Sequence, residues 1–283
     1  MLIKFNHLPI YQFSNTCTHL LDEKIKNDSS YKVLRQDVNI SLHAQLVDMF
    51  QNIHSSNTVI DEIELKKLRL KNIKPEKKKL SDLIGFELEV KPSTVVNSGD
   101  GVFVKEGSIL PGQIIALFPG HVHLAEYTKK KEHIESLLPD DNFMLMVRKD
   151  GIIVDSRQLI HNKNPYAVAH KVNHPPAGVV PNSLQLPFNF SNDPLDLSDD
   201  IFPHEIRHLI PNKYSKEPSF LGSPDRSAFM HTMVLLSTKH ISVGDEIFMD
   251  YRLKVDENGA PNTSLPTWYT PTSLNKPEMK DDE

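Results

Sequence analysis

A short string of metal-binding residue types stands in the second half of the chain. It reads His204-Glu205-Ile206-Arg207-His208, an H-E-x-x-H pattern. On an α-helix this spacing places two imidazoles on one face, with the glutamate beside them as the base of a zinc hydrolase. The surrounding residues oppose that chemistry, because Pro203 and Pro211 limit the helix to about two turns. Pro211 and Tyr214 also stand where a metzincin needs Gly and His. We therefore favour a short amphipathic surface helix and keep zinc hydrolysis as an alternative.

A second set of candidate residues consists of short motifs in a fixed order. They are Ser98-Gly99-Asp100-Gly101-Val102-Phe103-Val104, the segment Ile114 to Gly120, the segment Ile152 to Ser156, the segment Ala169 to Asn182, and Gly244 to Tyr251. Two glycines before a strand allow positive φ and a close approach of the backbone to a ligand. Each motif alone is typical of an ordinary turn, strand or loop. Their order and spacing together are not explained in that way.

This ordered set resembles the SET-domain family of S-adenosylmethionine-dependent protein lysine methyltransferases, over about residues 85 to 252. The resemblance implies that the glycine turn holds the methionine part of the cofactor through backbone contacts. It implies that an Asn-His pair contacts the cofactor and forms a knot-like crossing with the last motif. It also implies that the final tyrosine lies where the methyl group passes and orients the lysine amine. The implied cofactor residues are Gly99, Asp100, Gly101, Asn173 and His174, and the implied catalytic residue is Tyr251.

Several positions depart from the usual pattern of that family. His170-Lys171 replaces Arg-Phe before the Asn-His pair, and Pro175-Pro176 replaces Ser-Cys after it. Phe118 replaces a tyrosine of the second motif, which removes one hydroxyl. Met249 stands where Phe or Tyr often sets the number of methyl groups added, so that number is not readable. A SET-like binding module that has lost turnover is therefore the main alternative function.

Composition limits the class of protein and its compartment. The 283 residues are 39% hydrophobic and 24% charged, which is the ordinary range of globular chains. The single cysteine, Cys17, excludes an internal disulfide and a Cys-based zinc cluster, and it fits a reducing compartment, nucleus or cytoplasm. No apolar run approaches the ~20 residues that span a bilayer, so no membrane contact is expected. Many members of the resembled family have cysteine-rich flanks that cover the lysine channel, and these are absent here. Trp268 or Tyr269 could cover such a channel, although simple docking of the tail is the favoured interpretation.

Charge is divided along the chain. Residues 1 to 80 contain 13 basic and 9 acidic side chains, whereas residues 81 to 283 contain 19 and 28. An acidic main domain attracts a basic, lysine-containing protein or peptide and repels duplex DNA. The basic run at residues 64 to 79 is interpreted as a solvated helix face, with a nuclear-localisation or nucleic-acid patch as the alternative.

Hydrophobic periodicity predicts an α+β protein, with an irregular and mostly β domain and a helical N-terminal region. The family resemblance implies that the β domain is of the SET type (β-clip). One helical stripe consists of Leu42, Leu46, Met49, Phe50 and Ile53, and a second helix is predicted near Val59 to Leu70. Short β-rich runs are predicted at 86–90, 102–104, 114–118, 144–147, 152–154, 234–237 and 247–249. Nine prolines between residues 173 and 225 argue against long helices or central strands there.

The predicted organisation has three parts. Residues 1–84 form the helical region, residues 85–252 the SET domain with an insert at about 121–168, and residues 253–283 an extended tail. The tail is proline-rich and acidic at its end, with Trp268 and Tyr269 as its large anchors.

Overall fold

The structure is a computed structural model. It describes residues 29–57, 79–128, 144–160, 163–191, 202–218, 228–252, 269–270 and 272, with the side chains of the first helix from residue 37 to 56. The second helix predicted near residues 59 to 70, most of the basic run and Trp268 lie outside these residues.

The first described element is a long helix, α1 (Ser29–Asn57). Its predicted apolar stripe is buried along its whole length and joins the main hydrophobic core. Gln45 fixes the helix to the following domain, because its side-chain oxygen accepts from the Ile114 N–H (2.9 Å) and its amide donates to the Gly112 carbonyl (3.0 Å). The helix thus covers a strand edge with a side chain that supplies both a donor and an acceptor.

Short strands form three small sheets. The remaining elements are α2 (Leu80–Ile84), β1 (Phe86–Pro92), β2 (Asp100–Gly107), β3 (Ile114–Leu117), β4 (Gly120–His123), α3 (Ala125–Thr128), β5 (Leu145–Val147), β6 (Ile153–Asp155), β7 (Ser183–Ser191), β8 (Asn212–Tyr214) and β9 (Ala228–Ser237). The sheet orders are β1-β2, β3-β9-β7 and β5-β6-β4-β8. Only the β4–β8 pair among these ladders is parallel. Two 3-10 helices, Ala169–Lys171 and His204–Leu209, lie between strands.

One core joins α1 to the sheets. Phe50 of α1 is fully buried and meets Phe202 edge to face, with ring centroids 5.6 Å apart. Phe202 in turn meets Phe190 of β7 at 4.8 Å. Aromatic pairs of this geometry stabilise a core beyond their buried area.

The predicted α+β class, with a mostly β body and an N-terminal helix, is confirmed. Five of the predicted runs coincide with β1, β2, β3, β5 and β6, and β9 is longer than predicted. In the predicted run 247–249, Phe248 and Met249 make isolated bridges instead of a strand. β4, β7 and β8 were not predicted as strands. β7 contains Pro187 because it is an edge strand, where the missing N–H breaks no ladder bond. None of the described helices is long and apolar enough to cross a membrane.

Candidate cofactor and substrate site

The glycine turn lies at the start of β2. Gly99 has a φ of +75°, and a methyl group added there would meet no atom within 4 Å, so the backbone faces open space. Gly101, in contrast, is buried, and a side chain there is excluded by a neighbouring residue. A Cβ on this residue would lie 2.9 Å from Cδ of Glu246 and closer still to its carboxylate oxygen. Gly99 is therefore suited to its positive φ, whereas Gly101 is needed because no side chain fits beside Glu246.

Asn173 joins the glycine turn to the last motif. Its side-chain amide donates to the Asp100 carbonyl at 2.9 Å, and its own carbonyl accepts from the Met249 N–H at 3.0 Å. Asn173 also bridges Phe248 in a parallel arrangement. The segments around Gly99, Asn173 and Tyr251 are therefore adjacent in space.

The segment after Asn173 contacts the last motif again at Asn182 and Ser183. The Asn182 side chain donates to the Glu246 carbonyl (2.8 Å) and accepts from the Phe248 N–H (2.7 Å). The Ser183 hydroxyl donates to the Phe248 carbonyl at 2.7 Å. These contacts hold two distant parts of the chain against each other in one crossing.

His174 is buried beside Tyr251. Its Nδ1 accepts from the Tyr251 N–H (3.3 Å), and its Nε2–H donates to the Thr270 carbonyl (2.6 Å). One nitrogen accepts and the other donates, so the neutral ring fits these contacts. Burial lowers the pKa of His174, although the Thr270 carbonyl and the Asp250 carboxylate act in the opposite direction.

The Tyr251 hydroxyl donates to the Val172 carbonyl at 3.1 Å. Burial raises the pKa of Tyr251, so the hydroxyl stays protonated across the physiological range and remains a donor. The contact with the Val172 carbonyl fixes the direction of the Tyr251 O–H bond.

Residues of the tail pack on this site. The Tyr269 ring is buried against His174, with centroids 4.5 Å apart, and the Thr272 hydroxyl donates to the Asp250 carboxylate at 2.6 Å. The sequence indicated Tyr269 as an anchor through its size. The sequence contained no signal for Thr270 and Thr272, because their role depends on contacts with residues 96 and 22 positions away, respectively.

The residues that replace Arg-Phe also lie beside the glycine turn. The Lys171 ammonium is 3.7 Å from the Asp100 carboxylate, and both side chains are partly exposed. Lys171 departs from the family pattern, and it places a cation next to the turn. Phe118 of the second motif and Met249 of the last motif are both buried. Because both side chains are apolar, neither offers a hydroxyl to the site.

The partly buried His170 is expected to make the folding stability depend on pH. Burial, with a smaller contribution from Lys171, lowers its pKa to about 4, and its Nδ1 has no hydrogen-bond partner among the described residues. The unfolded chain, with an ordinary histidine pKa of about 6.5, binds a proton first. Folding stability is therefore expected to fall as the pH drops from about 6.5 to about 4, and this contribution stops changing below that range.

The measurement is denaturant unfolding of wild type and His170→Gln across that pH range. The wild type should lose about 2 kcal/mol more than the variant, at about 1.4 kcal/mol per pKa unit with allowance for the partly exposed ring. Parallel pH curves would show that His170 titrates normally in the fold.

The H-E-x-x-H string does not form the arrangement that a zinc hydrolase needs. It lies in a 3-10 helix rather than an α-helix; His204, Glu205 and His208 are exposed, while Ile206 and Leu209 are buried. His208 instead lies against His54 of α1, with ring centroids 5.5 Å apart. Within the described ranges no three His, Cys, Asp or Glu side chains converge on a possible metal position. The amphipathic surface helix is confirmed, and the zinc alternative loses its geometric basis.

The mostly β fold with an N-terminal helix is consistent with a SET-type fold, and the chain is similar to SET-domain proteins. It is 22% identical over 250 residues to SET domain-containing protein 9 of Homo sapiens, covering 78% of this chain and 72% of that protein. It is equally similar to SET domain-containing protein 9 of Pongo abelii, covering 78% of each chain. No family model matches the chain. The resemblance to the SET-domain family that the motifs indicated is confirmed.

Proposed function

We propose that this chain is an S-adenosylmethionine-dependent protein lysine N-methyltransferase. The observation that carries the proposal is the hydrogen bonding of Asn173 to both Asp100 and Met249. It brings the glycine turn and the last motif into one site, although they are about 150 residues apart in sequence. The similarity to SET domain-containing protein 9 supports the same conclusion.

The residues of the site fit the proposed cofactor. The turn at Gly99 exposes its backbone to open space, and Asn173 lies beside it. His174, the next residue, contacts Tyr251 and Thr270. Lys171 supplies a cation that suits the carboxylate of the methionine part. When bound, S-adenosylmethionine supplies an electrophilic methyl group on a positively charged sulfur. We propose that Gly99, Asp100, Gly101, Asn173 and His174 hold it.

Tyr251 is proposed to orient the substrate amine. Methyl transfer is an in-line displacement, so most of the catalysis lies in positioning the two reacting atoms. The amine must be neutral to react, and a lysine with a reference pKa of about 10.4 is protonated at pH 7. Apolar surroundings, including buried Met249 and Phe248, disfavour the charged form and lower that pKa. The Tyr251 hydroxyl, fixed by Val172, is then available to contact the amine.

We propose a basic, lysine-containing protein or peptide as substrate. The acidic excess of residues 81 to 283 steers such a partner toward the domain. The single cysteine fits a reducing compartment, so we propose that the reaction takes place in the nucleus or cytoplasm.

The test of the function is incubation with labelled S-adenosylmethionine and a peptide array or lysate. Wild type should transfer label to protein lysine, and Tyr251→Phe should lower turnover at least about tenfold, or 1.4 kcal/mol of barrier. Cofactor affinity, measured by titration calorimetry, should stay unchanged in Tyr251→Phe. The matched control is Tyr127→Phe, which removes a hydroxyl whose partner is the Glu217 carbonyl, outside the site, and should leave turnover intact.

Each other outcome has a distinct meaning. Absence of cofactor binding by wild type would contradict the proposed function. Cofactor binding without transfer would favour the alternative of a SET-like binding module. The buried Phe118 and the Pro175-Pro176 replacement are the features that favour this alternative. Equal turnover in Tyr251→Phe and wild type would remove the role assigned to that hydroxyl.

A further inference from the structure

One carboxylate of the last motif is buried against the glycine turn. Glu246 is 6% exposed, and its Oε1 accepts from the Ser93 hydroxyl at 2.6 Å. Its Oε2 accepts from the Thr94 N–H at 2.8 Å and from the Thr94 hydroxyl. Burying a charge without partners is costly, so these three donors are what allow the carboxylate to remain there.

Its partners begin the loop that leads into the glycine turn. In this loop, residues 93–99, the Ser93 N–H donates to the Gly99 carbonyl at 2.9 Å, so the two ends are held together. The Val95 side chain is buried, and Ser98 donates to the Val95 carbonyl. The loop is therefore compact, and Glu246 holds its first two residues.

The same carboxylate lies against the second glycine of the turn. The space that a side chain on Gly101 would need is filled by the Glu246 carboxylate. The Glu246 backbone is itself fixed, since its carbonyl accepts from Asn182 and the neighbouring Ile247 N–H donates to Val102. Glu246 is thus held in place and contacts the residues on both sides of the turn, Ser93 and Thr94 before it and Gly101 at its end.

We propose that Glu246 is a positioning residue that holds the 93–99 loop and the glycine turn in the shape that binds the cofactor. This inference rests on the proposed function. Without the carboxylate, the Ser93 and Thr94 donors lose their acceptor and the loop opens. The Glu246 carboxylate bonds to Ser93 and Thr94, whereas the Tyr251 hydroxyl bonds to Val172. Loss of Glu246 therefore weakens cofactor binding while the chemical step at saturating cofactor is preserved.

Steady-state kinetics and calorimetry test this separation. Glu246→Ala should raise the cofactor Kd and KM at least about tenfold, with kcat at saturating cofactor changed by less than about twofold. Glu246→Gln should retain most of the affinity. Its amide oxygen can accept both Thr94 donors, and its NH2 can donate to the Ser93 oxygen.

A double-mutant cycle tests the contact with Gly101 independently of the cofactor. Gly101→Ala should lower the midpoint of denaturant unfolding strongly in wild type, because the new methyl meets the carboxylate. In the Glu246→Ala background the same change should cost much less, since the space is then free. Additive effects would show that the two residues do not compete for one position.

Hydrogen exchange of the amides at residues 93–100 reports on the loop itself. Glu246→Ala should speed this exchange at least about tenfold, and Glu246→Gln should not. If Glu246→Ala does not fold, as judged by circular dichroism, the Ser93→Ala/Thr94→Val pair removes two of the three donors and should weaken cofactor binding in the same direction.

The inference and the proposed function fail in different ways. If wild type binds no cofactor, the function fails while hydrogen exchange still decides whether Glu246 holds the loop. If wild type binds cofactor and Glu246→Ala binds it equally well, the function stands and the positioning role is overturned. Equal loss of affinity in Glu246→Gln and Glu246→Ala would also overturn it, because the hydrogen bonds would then not be the cause.

Discussion

Replacing Gly120 with alanine should lower the free energy of unfolding by more than about 4 kcal/mol, or prevent folding altogether. Gly120 begins β4 with a φ of +125°, and its N–H donates to the Pro211 carbonyl at 2.9 Å. A methyl group there would lie 2.7 Å from the carbonyl carbon of Asp155 and 2.9 Å from Cα of Ser156. These are backbone atoms of an adjacent strand, so the clash can be relieved only by separating β4 from β6.

Gly112→Ala is the matched control for this change. Gly112 also has a positive φ, +80°, but an added methyl group would meet nothing within 4 Å. It should therefore cost only the conformational penalty of about 1–2 kcal/mol. Denaturant unfolding of both variants separates the steric cost from the conformational cost. Equal losses would mean that the close approach of β4 to Asp155 is absent.

Phe50→Ala should destabilise the protein by about 3–5 kcal/mol, because a fully buried ring is replaced by a cavity. The ring packs against Phe202 and Phe190, so the loss weakens the contact between α1 and the sheets. Undocking of α1 would also withdraw Gln45 from β3, leaving the Ile114 N–H without its acceptor.

Ile40→Ala provides the comparison for the helix. Ile40 lies on the same helix but is 39% exposed, and alanine is at least as good a helix former. Its effect should stay within about 0.5 kcal/mol in denaturant unfolding. A Phe50→Ala loss as small as that of Ile40→Ala would refute docking of α1 through its apolar stripe.

The local patterns were informative where one element decides the outcome. The spacing of Leu42, Leu46 and Phe50 predicted which face of α1 is buried, because helical periodicity alone fixes that face. Several runs of β-branched residues likewise became strands at the predicted places. The pair of glycines at 99 and 101 indicated a tight backbone turn, although not that the two serve different purposes.

What the sequence left open depends on contacts between distant segments. β7 was missed because Pro187 is acceptable only at a sheet edge, and edge position is a property of the assembled sheet. The H-E-x-x-H string matched a metal motif by residue type, but the flanking prolines and burial of Ile206 and Leu209 made it a 3-10 surface turn. Glu246 carried no local signal, since its partners lie about 150 residues earlier.

The docking of the tail has a consequence for how the protein matures during translation. A nascent chain emerges N-terminal end first, and its earlier parts fold before the later ones appear. All the described strands can therefore form before residues 269 to 272 have been synthesised. Until then the His174 Nε2–H lacks the Thr270 carbonyl that it donates to in the finished structure. A ribosome-bound intermediate that ends before residue 269 should accordingly contain all the described sheets and still lack the contacts that residues 269 to 272 make with His174 and Asp250.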